Sequence, residues 1–341
     1  MSTTTEDMLA LVVRGPREHA LERVPRPTPG PGEALVATTH VALCGTDLRL
    51  LAGTLHDADY PVIPGHEWAG RVLAAPDRPE LAGRCVVGHN FRACGRCAYC
   101  LVGSEQLCVE LDELGFTLPG ACAEAFCVPV DNLRLLPDGL PGDEACLLEP
   151  LCVAMHAMER APELAGKTVG VIGAGTIGLL VAQLAASAGA DVAVADPAEG
   201  RRAVAAAVGI ASIQADLEAW KAEPREVVFD ATGVARVFAE GLLATKHGGA
   251  YVLVGYSGEE TAEFQPSLVM LREVTVIGVL SGYGWIDGAL AAVTSGAVRL
   301  GPLLSDPLPL SEYRSVLAYG RGDAPLRSMF VVDNQTEEGR S

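Results

Sequence analysis

The stretch from Thr168 to Asp196, TVGVIGAGTIGLLVAQLAASAGADVAVAD, leaves this chain few folds to choose from. Val169 to Ile172 is a short apolar run of the length a buried strand needs. Gly173, Gly175 and Gly178 follow in G-x-G-x-x-G spacing, and Ile177 to Ala188 is an alanine-rich run of helical character. A second apolar run, Val192 to Ala195, ends at Asp196. Strand, glycine turn, helix, strand and acid each have a physical reason in dinucleotide binding. Gly173 permits the tight turn, Gly175 lets backbone approach a pyrophosphate, and Gly178 lets the helix pack closely on the sheet. Thr176 and Ile177 open the helix, whose free N–H groups and partial positive charge suit phosphate. The glycine motif alone also fits an ordinary turn; the flanking strands and the acid supply what it lacks. Asp196 is placed to accept hydrogen bonds from an adenosine ribose. Its charge suits a free 2′-hydroxyl, so NAD is expected over NADP. Arg201 and Arg202 lie close behind. Arg201 is a candidate cofactor contact that would soften this preference; otherwise the pair forms a solvated helix face.

Strands and helices alternate from Lys167 onward, through VVFDATG (227–233), GGAYVLVG (248–255) and VTVIGV (274–279). Helices are expected at Val234–Thr245 and Trp285–Thr294. Such alternation predicts a doubly wound parallel sheet, an α/β architecture. Before it, residues 8 to about 137 carry short apolar runs punctuated by Pro and Gly, a β-rich pattern. Ala145 to Arg160 has helical character. The tail offers a helix candidate at Leu310–Tyr319 and a strand at Ser328–Val332.

The chain of 341 residues has room for two domains, and its 49% hydrophobic content suits a large core. A net charge of −18 argues against a nucleic-acid partner and against docking on an anionic membrane. No apolar run is long enough to span a bilayer. The N-terminus, MSTTTEDM, lacks the parts of a signal peptide, so a cytoplasmic location is expected, with a few disordered residues at each end.

Four of the ten cysteines, Cys94, Cys97, Cys100 and Cys108, fall in C-x2-C-x2-C-x7-C. That spacing lets a short loop wrap a tetrahedral ion, and four thiolates leave no open position, so the site is expected to be structural. Ligand type alone also permits an iron–sulfur cluster, but zinc is the expectation. Cys85, Cys122, Cys127, Cys146 and Cys152 are expected to pack in the core. A second set is dispersed: Cys44 in CGTD, His66 and Glu67 in PGHEWAG, and Glu149 in LLEPL. Singly they read as a buried cysteine, a core histidine and a helix-start glutamate, and spacing alone does not pick them out. Asp230, after a strand, fits either a cofactor crevice or a strand-end cap. His156 is expected to be structural.

The succession CGTD, GHEWAG, four-cysteine lobe, Glu-Pro segment and GAGTIG with its Asp resembles the zinc-dependent medium-chain alcohol dehydrogenase family. The likeness runs over essentially the whole chain. EPLCVAMHA is similar to the polyol and cyclitol, sorbitol-dehydrogenase-like branch, in which a glutamate stands where other branches have a cysteine ligand. The resemblance implies a mostly β, chaperonin-10-like catalytic domain over 1–150, with the zinc lobe at 94–108. A Rossmann domain over 151–290 and a C-terminal return over 291–341 would complete it. It implies two zinc ions per chain, NAD, and usually a homodimer or homotetramer. By the same resemblance, Cys44, His66 and either Glu67 or Glu149 hold the catalytic zinc, directly or through water.

The implied chemistry is oxidation of a secondary alcohol of a polyol, cyclitol or aminocyclitol. Zinc acts as a Lewis acid and the nicotinamide takes the hydride. Thr46 matches the family's hydroxyl relay and is expected to accept the substrate proton; it also fits a plain turn threonine. Arg49 stands where the family often has a histidine, and arginine accepts no proton near neutral pH, so water would finish the relay. His56 is near in sequence but has no geometric claim to the task. Threonine-type dehydrogenases share several of these features. An epimerase retaining NADH and a non-catalytic cofactor-binding protein complete the alternatives.

Overall fold

A computed structural model describes residues 6–55, 58–258, 260–317 and 326–332. They form two compact units. The first contains residues 6–149, 304–317 and 327–332; the second contains 150–303 and Leu326. His56, the expected disordered ends and the last two residues of the helix candidate at 310–319 lie outside the described residues.

The second unit is built on a six-stranded parallel sheet. Its strands run in the order Ser212–Gln214, Asp191–Ala195, Thr168–Ile172, Arg225–Asp230, Thr245–Leu253, Thr275–Gly278. Their apolar runs are nearly unbroken because helices cover a parallel sheet. Val171, Val194, Val228 and Tyr251 are buried to the last few per cent. Thr168–Ile172 comes first in sequence but lies mid-sheet. The chain moves outward on one side of it, then returns to Arg225–Asp230 on the other. That reversal opens a crevice at the strand ends, where doubly wound sheets take ligands. The helix Thr176–Ser187 starts there, with Gly175 at its N-cap. Gly173 turns at φ 96°, and a Cβ at Gly178 would lie 1.9 Å from the Gly173 carbonyl oxygen. The third glycine of the motif is therefore fixed by contact between helix and strand.

The first unit centres on the long strand Glu33–Leu43. It pairs antiparallel with Glu67–Ala74, Ala125–Pro129 and Ser328–Val331 within a seven-stranded sheet. The tail strand thus returns to the first unit. Leu11, Val36, Val41, Trp68, Phe126 and Phe330 form its core.

The expected helix over 145–160 is two pieces, Gly142–Ala145 and Leu148–Arg160. Pro150 has no N–H for the Cys146 carbonyl, so it is tolerated only in the first turn of a new helix. Cys122, Cys146 and Cys152 are buried as expected, but Cys127 is half-buried and Cys85 is exposed. Cys85 begins the short strand Cys85–Gly88, which buries only its later residues. His156 is buried, with Nδ1 2.7 Å from the Ser281 carbonyl oxygen, a structural contact. Asp230 accepts hydrogen bonds from the Thr232 backbone N–H and hydroxyl at 2.9 and 2.6 Å, and from the Tyr251 hydroxyl at 2.7 Å. It caps the strand end and anchors Tyr251.

Gly178→Val should destabilise the second unit by about 1–3 kcal/mol through overpacking. It should also weaken NAD binding, because the helix start carries the glycine turn. Thermal melts with and without NAD check both effects.

Candidate active site

Cys44 is the N-cap of the helix Gly45–Ala52, and Asp47 is the third residue inside it. This is the spacing at which an acid reaches back to the start of its own helix. Asp47 Oδ2 accepts the Cys44 backbone N–H at 2.8 Å. Its Oδ1 accepts the Gly65 backbone N–H at 3.2 Å and lies 3.3 Å from His66 Nδ1. Gly65 adopts φ 103°, and a Cβ there would sit 2.8 Å from the Cys122 nitrogen. The turn before His66 is therefore closed to any side chain. One wholly buried carboxylate joins the Cys44 turn to the His66 turn.

Glu67 begins the next strand and is also wholly buried. Arg327 Nη2 lies 2.8 Å from its Oε1. Among the described residues neither Glu67 carboxylate oxygen has a hydrogen-bond partner, so Oε1 has the Arg327 ion pair alone and Oε2 has nothing. Ligand atoms of Cys44, His66 and Glu67 all lie within 4.8 Å of one another. Glu149, in the first turn of Leu148–Arg160, is not in that group. A thiolate, an imidazole and a buried carboxylate with an orphaned oxygen fit a divalent zinc ion with one position left for an exchangeable ligand.

The electrostatics follow from burial. Burial pushes the Cys44 thiol up, but the Arg327 guanidinium and His66 outweigh it and bring it down to about 6. Burial also disfavours charged His66, yet Asp47 and Cys44 raise it well above the usual imidazole range. Glu67 is held well above the carboxylate range by burial, with Cys44 and Glu149 adding to it and Arg327 opposing. Glu149 is pushed up to about 7, first by burial and then by Cys44, with His66 opposing.

Thr46 Oγ1 lies 3.6 Å from Cys44 Sγ. The thiols of Cys94, Cys97, Cys100 and Cys108 also gather within 4.8 Å of one another. The backbone N–H groups of Cys94 and Glu110 point at Cys108 Sγ from 3.3 and 3.4 Å. Backbone N–H groups bring the Cys97 thiol down to about 6 despite some opposing desolvation. The lobe exposes Leu101, Val102 and Val109 at over 70% each. Such a segment has little apolar burial of its own and suits closure around an ion.

In the second unit, Asp196 is almost fully buried. It accepts the backbone N–H of Ala174 at 2.9 Å and of Ala198 at 2.8 Å, and so ties down the glycine turn. Arg201 Nη1 lies 3.7 Å from its Oδ2, while Arg202 Nη1 donates to the Asp196 and Pro197 carbonyls. The Thr176 hydroxyl donates to the Leu326 carbonyl at 3.2 Å. Ile177 is half-buried on the same turn. Apart from its own chain neighbours, no atom of the described residues lies within 4 Å of the place a Gly175 Cβ would take.

Asp47 and Arg327 have no role assigned by sequence reasoning. The spacing of Asp47 from Cys44 was a usable signal; nothing local marks Arg327. Asp47→Asn should lower affinity for the ion at Cys44 and His66 by about 10–100-fold, because the group orienting a ligand is lost. Zinc competition against a chelator, with a melting curve as the control for folding, checks this.

Residues 30–138 match the family described as alcohol dehydrogenase GroES-like domain, and residues 176–295 match zinc-binding dehydrogenase. D-altritol 5-dehydrogenase of Agrobacterium fabrum is 34% identical, over 83% of this chain and 87% of that protein. Sorbitol dehydrogenase of Bombyx mori is 29% identical, over 95% of this chain and 99% of that protein. A zinc-binding dehydrogenase from Sinorhizobium meliloti, solved with NADP, superposes with a TM-score of 0.89 at 28% identity, over 96% of this chain and 99% of that one. With two matched domains, a gathered set of zinc-type ligands and a Rossmann glycine turn, the chain belongs to the zinc-dependent medium-chain alcohol dehydrogenases, in their polyol branch.

Proposed function

We propose that this enzyme oxidises a secondary alcohol of a polyol, cyclitol or aminocyclitol to a ketone, with NAD as hydride acceptor. The carrying observation is the convergence of Cys44, His66 and Glu67 around an orphaned carboxylate oxygen. The sugar-alcohol names of the relatives support the substrate class. Cys44, His66 and Glu67 would hold the catalytic zinc, and Cys94, Cys97, Cys100 and Cys108 the structural one. Zinc bound at the first set supplies Lewis-acid stabilisation to an alcohol oxygen, and the dinucleotide supplies the hydride acceptor.

The chain's own residues do the rest. Asp47 holds the His66 ring and the Cys44 turn in place. Arg327 offsets the buried charge of Glu67. Glu149, in the first turn of its helix, acts on Glu67 by charge. Thr46, beside Cys44, takes the substrate proton. Arg49 cannot accept it onward, so water completes the transfer. Gly173, Gly175 and Gly178, with the N–H groups of Thr176 and Ile177, hold the pyrophosphate. Asp196 favours the unphosphorylated ribose, and Arg201 beside it moderates that preference.

A zinc-loaded sample should carry about two zinc ions per chain. It should reduce NAD faster than NADP in a screen of polyols, cyclitols, aminocyclitols, threonine and simple alcohols, followed by the absorbance of reduced nicotinamide. Silence on the first three groups would remove the substrate class.

We also infer a homo-oligomer formed through the second unit. Thr275–Gly278 is an edge strand, and Val276 on it is 38% exposed. Met270, Leu271 and Leu280 flank it in sequence at 66, 67 and 58% exposure. An apolar open edge invites pairing unless a second copy covers it. Val276→Lys should shift the protein toward monomer in analytical ultracentrifugation; an unchanged mass would count against this edge. No described helix is long and apolar enough to cross a membrane, and the described cysteines form no disulfide.

A further inference from the structure

A groove of about 500 Å³ lies in the second unit, at the end of the parallel sheet away from the glycine turn. It opens where Thr168–Ile172, Arg225–Asp230, Thr245–Leu253 and Thr275–Gly278 begin, whereas Gly173 lies just past the far end of the first of these strands. The dinucleotide crevice belongs to the far ends of the strands, so this groove has no task in cofactor binding.

Its lining is basic in an acidic chain. The sequence holds three lysines, Lys167, Lys221 and Lys246, within a net charge of −18. Lys167 and Lys246 both line the groove, with Arg160 and His247 beside them. Among the described residues Glu226 is the single acid on the lining; Glu159 and Glu163, near in sequence, are not part of it. Glu226 is already engaged. Its Oε2 accepts the Thr168 backbone N–H at 3.0 Å and hydroxyl at 3.4 Å, and Thr168 Oγ1 accepts the Glu226 backbone N–H at 3.2 Å. The carboxylate thus ties two neighbouring strands. Lys246 Nζ stands 3.9 Å from its Oε1 across two solvent-facing side chains, a contact that contributes little. Among the described residues no hydrogen bond or salt bridge holds the side chains of Arg160, Lys167 or His247.

The cations are also set apart. Arg225–Asp230 lies between Thr168–Ile172 and Thr245–Leu253 in the sheet. Lys167 and Lys246 therefore leave backbones two strand spacings, or about 10 Å, apart. From the Arg225–Thr245 pair to the Val227–Ala250 pair, one strand advances two residues and the other five. The surplus, residues 246–249, forms a bulge, which re-aims the side chains it carries. A Cβ at Gly249 would lie 2.5 Å from the Glu226 carbonyl oxygen, so the bulge is pressed onto the middle strand. Thr275 and Ile277 line the groove, while Val276 between them takes the opposite face of its strand. With Glu226 in the middle, an anion centred there is repelled. Two anionic groups at the ends of a neutral body are not. Ammonium groups bind phosphate as point charges and the Arg160 fork matches its oxygens. A phosphate, with nearly two charges, answers more of this lining than a carboxylate does.

We propose that this groove is a second ligand site, which binds a small organic molecule carrying two separated phosphate groups.

The test titrates full-length, zinc-loaded protein, saturated with NAD, with butane-1,4-diyl bisphosphate in a calorimeter. This probe has no hydroxyl to oxidise. Butyl phosphate and adipate, at matched ionic strength, are the one-phosphate and dicarboxylate controls. The bisphosphate should bind about tenfold tighter than either, as two solvent-facing ion-pair sites acting together would allow. Equal affinities, or no binding, would overturn the proposal. The double substitution Lys167→Gln, Lys246→Gln should weaken the bisphosphate by about tenfold. Lys221→Gln removes the lysine that pairs with Glu218 outside the groove and should change nothing. An unchanged affinity in the double variant, or an equal loss in K221Q, would refute the site. If the double variant does not fold, acetylation of wild type by acetic anhydride, read by mass spectrometry, decides. The bisphosphate should protect Lys167 and Lys246 but not Lys221; binding without that protection would refute the groove as its site. No step requires turnover, so the outcome is independent of the proposed dehydrogenase function.

Discussion

Two carboxylates withdrawn wholly from water, Asp47 and Glu67, set the conditions for everything near them. A buried carboxylate costs several kcal/mol unless its oxygens are met by donors or cations. Asp47 is met by two backbone N–H groups and the His66 ring, so it joins the Cys44 and His66 turns. Glu67 has no hydrogen-bond donor on either oxygen among the described residues, and only the Arg327 charge faces its Oε1. The orphaned oxygen, beside a thiolate and an imidazole, is the physical argument for a cation at that point. Remove Asp47 and Cys44 and His66 lose the carboxylate that joins their two turns.

The second unit works by the opposite means. Its candidate site is made mostly of absent side chains. Gly178 lets the helix touch the Gly173 carbonyl, and Gly175 leaves open the space in front of the helix N-terminus. Asp196 fastens the turn through the Ala174 N–H. The acid at the second strand's end is thus a structural tie for the turn as well as a candidate ribose acceptor. Arg201 faces the same oxygen at 3.7 Å.

Much of this was legible from residues alone. Glycine spacing and apolar runs named the parallel sheet, and cysteine spacing named the lobe. Where local rules were overridden, the cause was also local chemistry: Pro150 broke a helix that hydrophobic periodicity had drawn as one piece. Cys85 escaped the core because the strand it opens buries only its later residues. Asp47 was visible in CGTD, but its role was not, because one of the two turns it joins lies outside that motif.

The sequence by itself determined the short-range features: a glycine turn ahead of a helix, four thiols in one loop, an acid three residues inside a cysteine-capped helix. Each depends on atoms a few residues apart, so spacing encodes it. Only the tertiary structure decided that Glu67 lies within 4.8 Å of Cys44 and His66 and that Arg327 answers Glu67. Those placements depend on the register of Ser328–Val331 against Glu33–Leu43 and of Glu33–Leu43 against Glu67–Ala74. Charge is compensated through space, and no spacing along the chain records which partner the fold will bring.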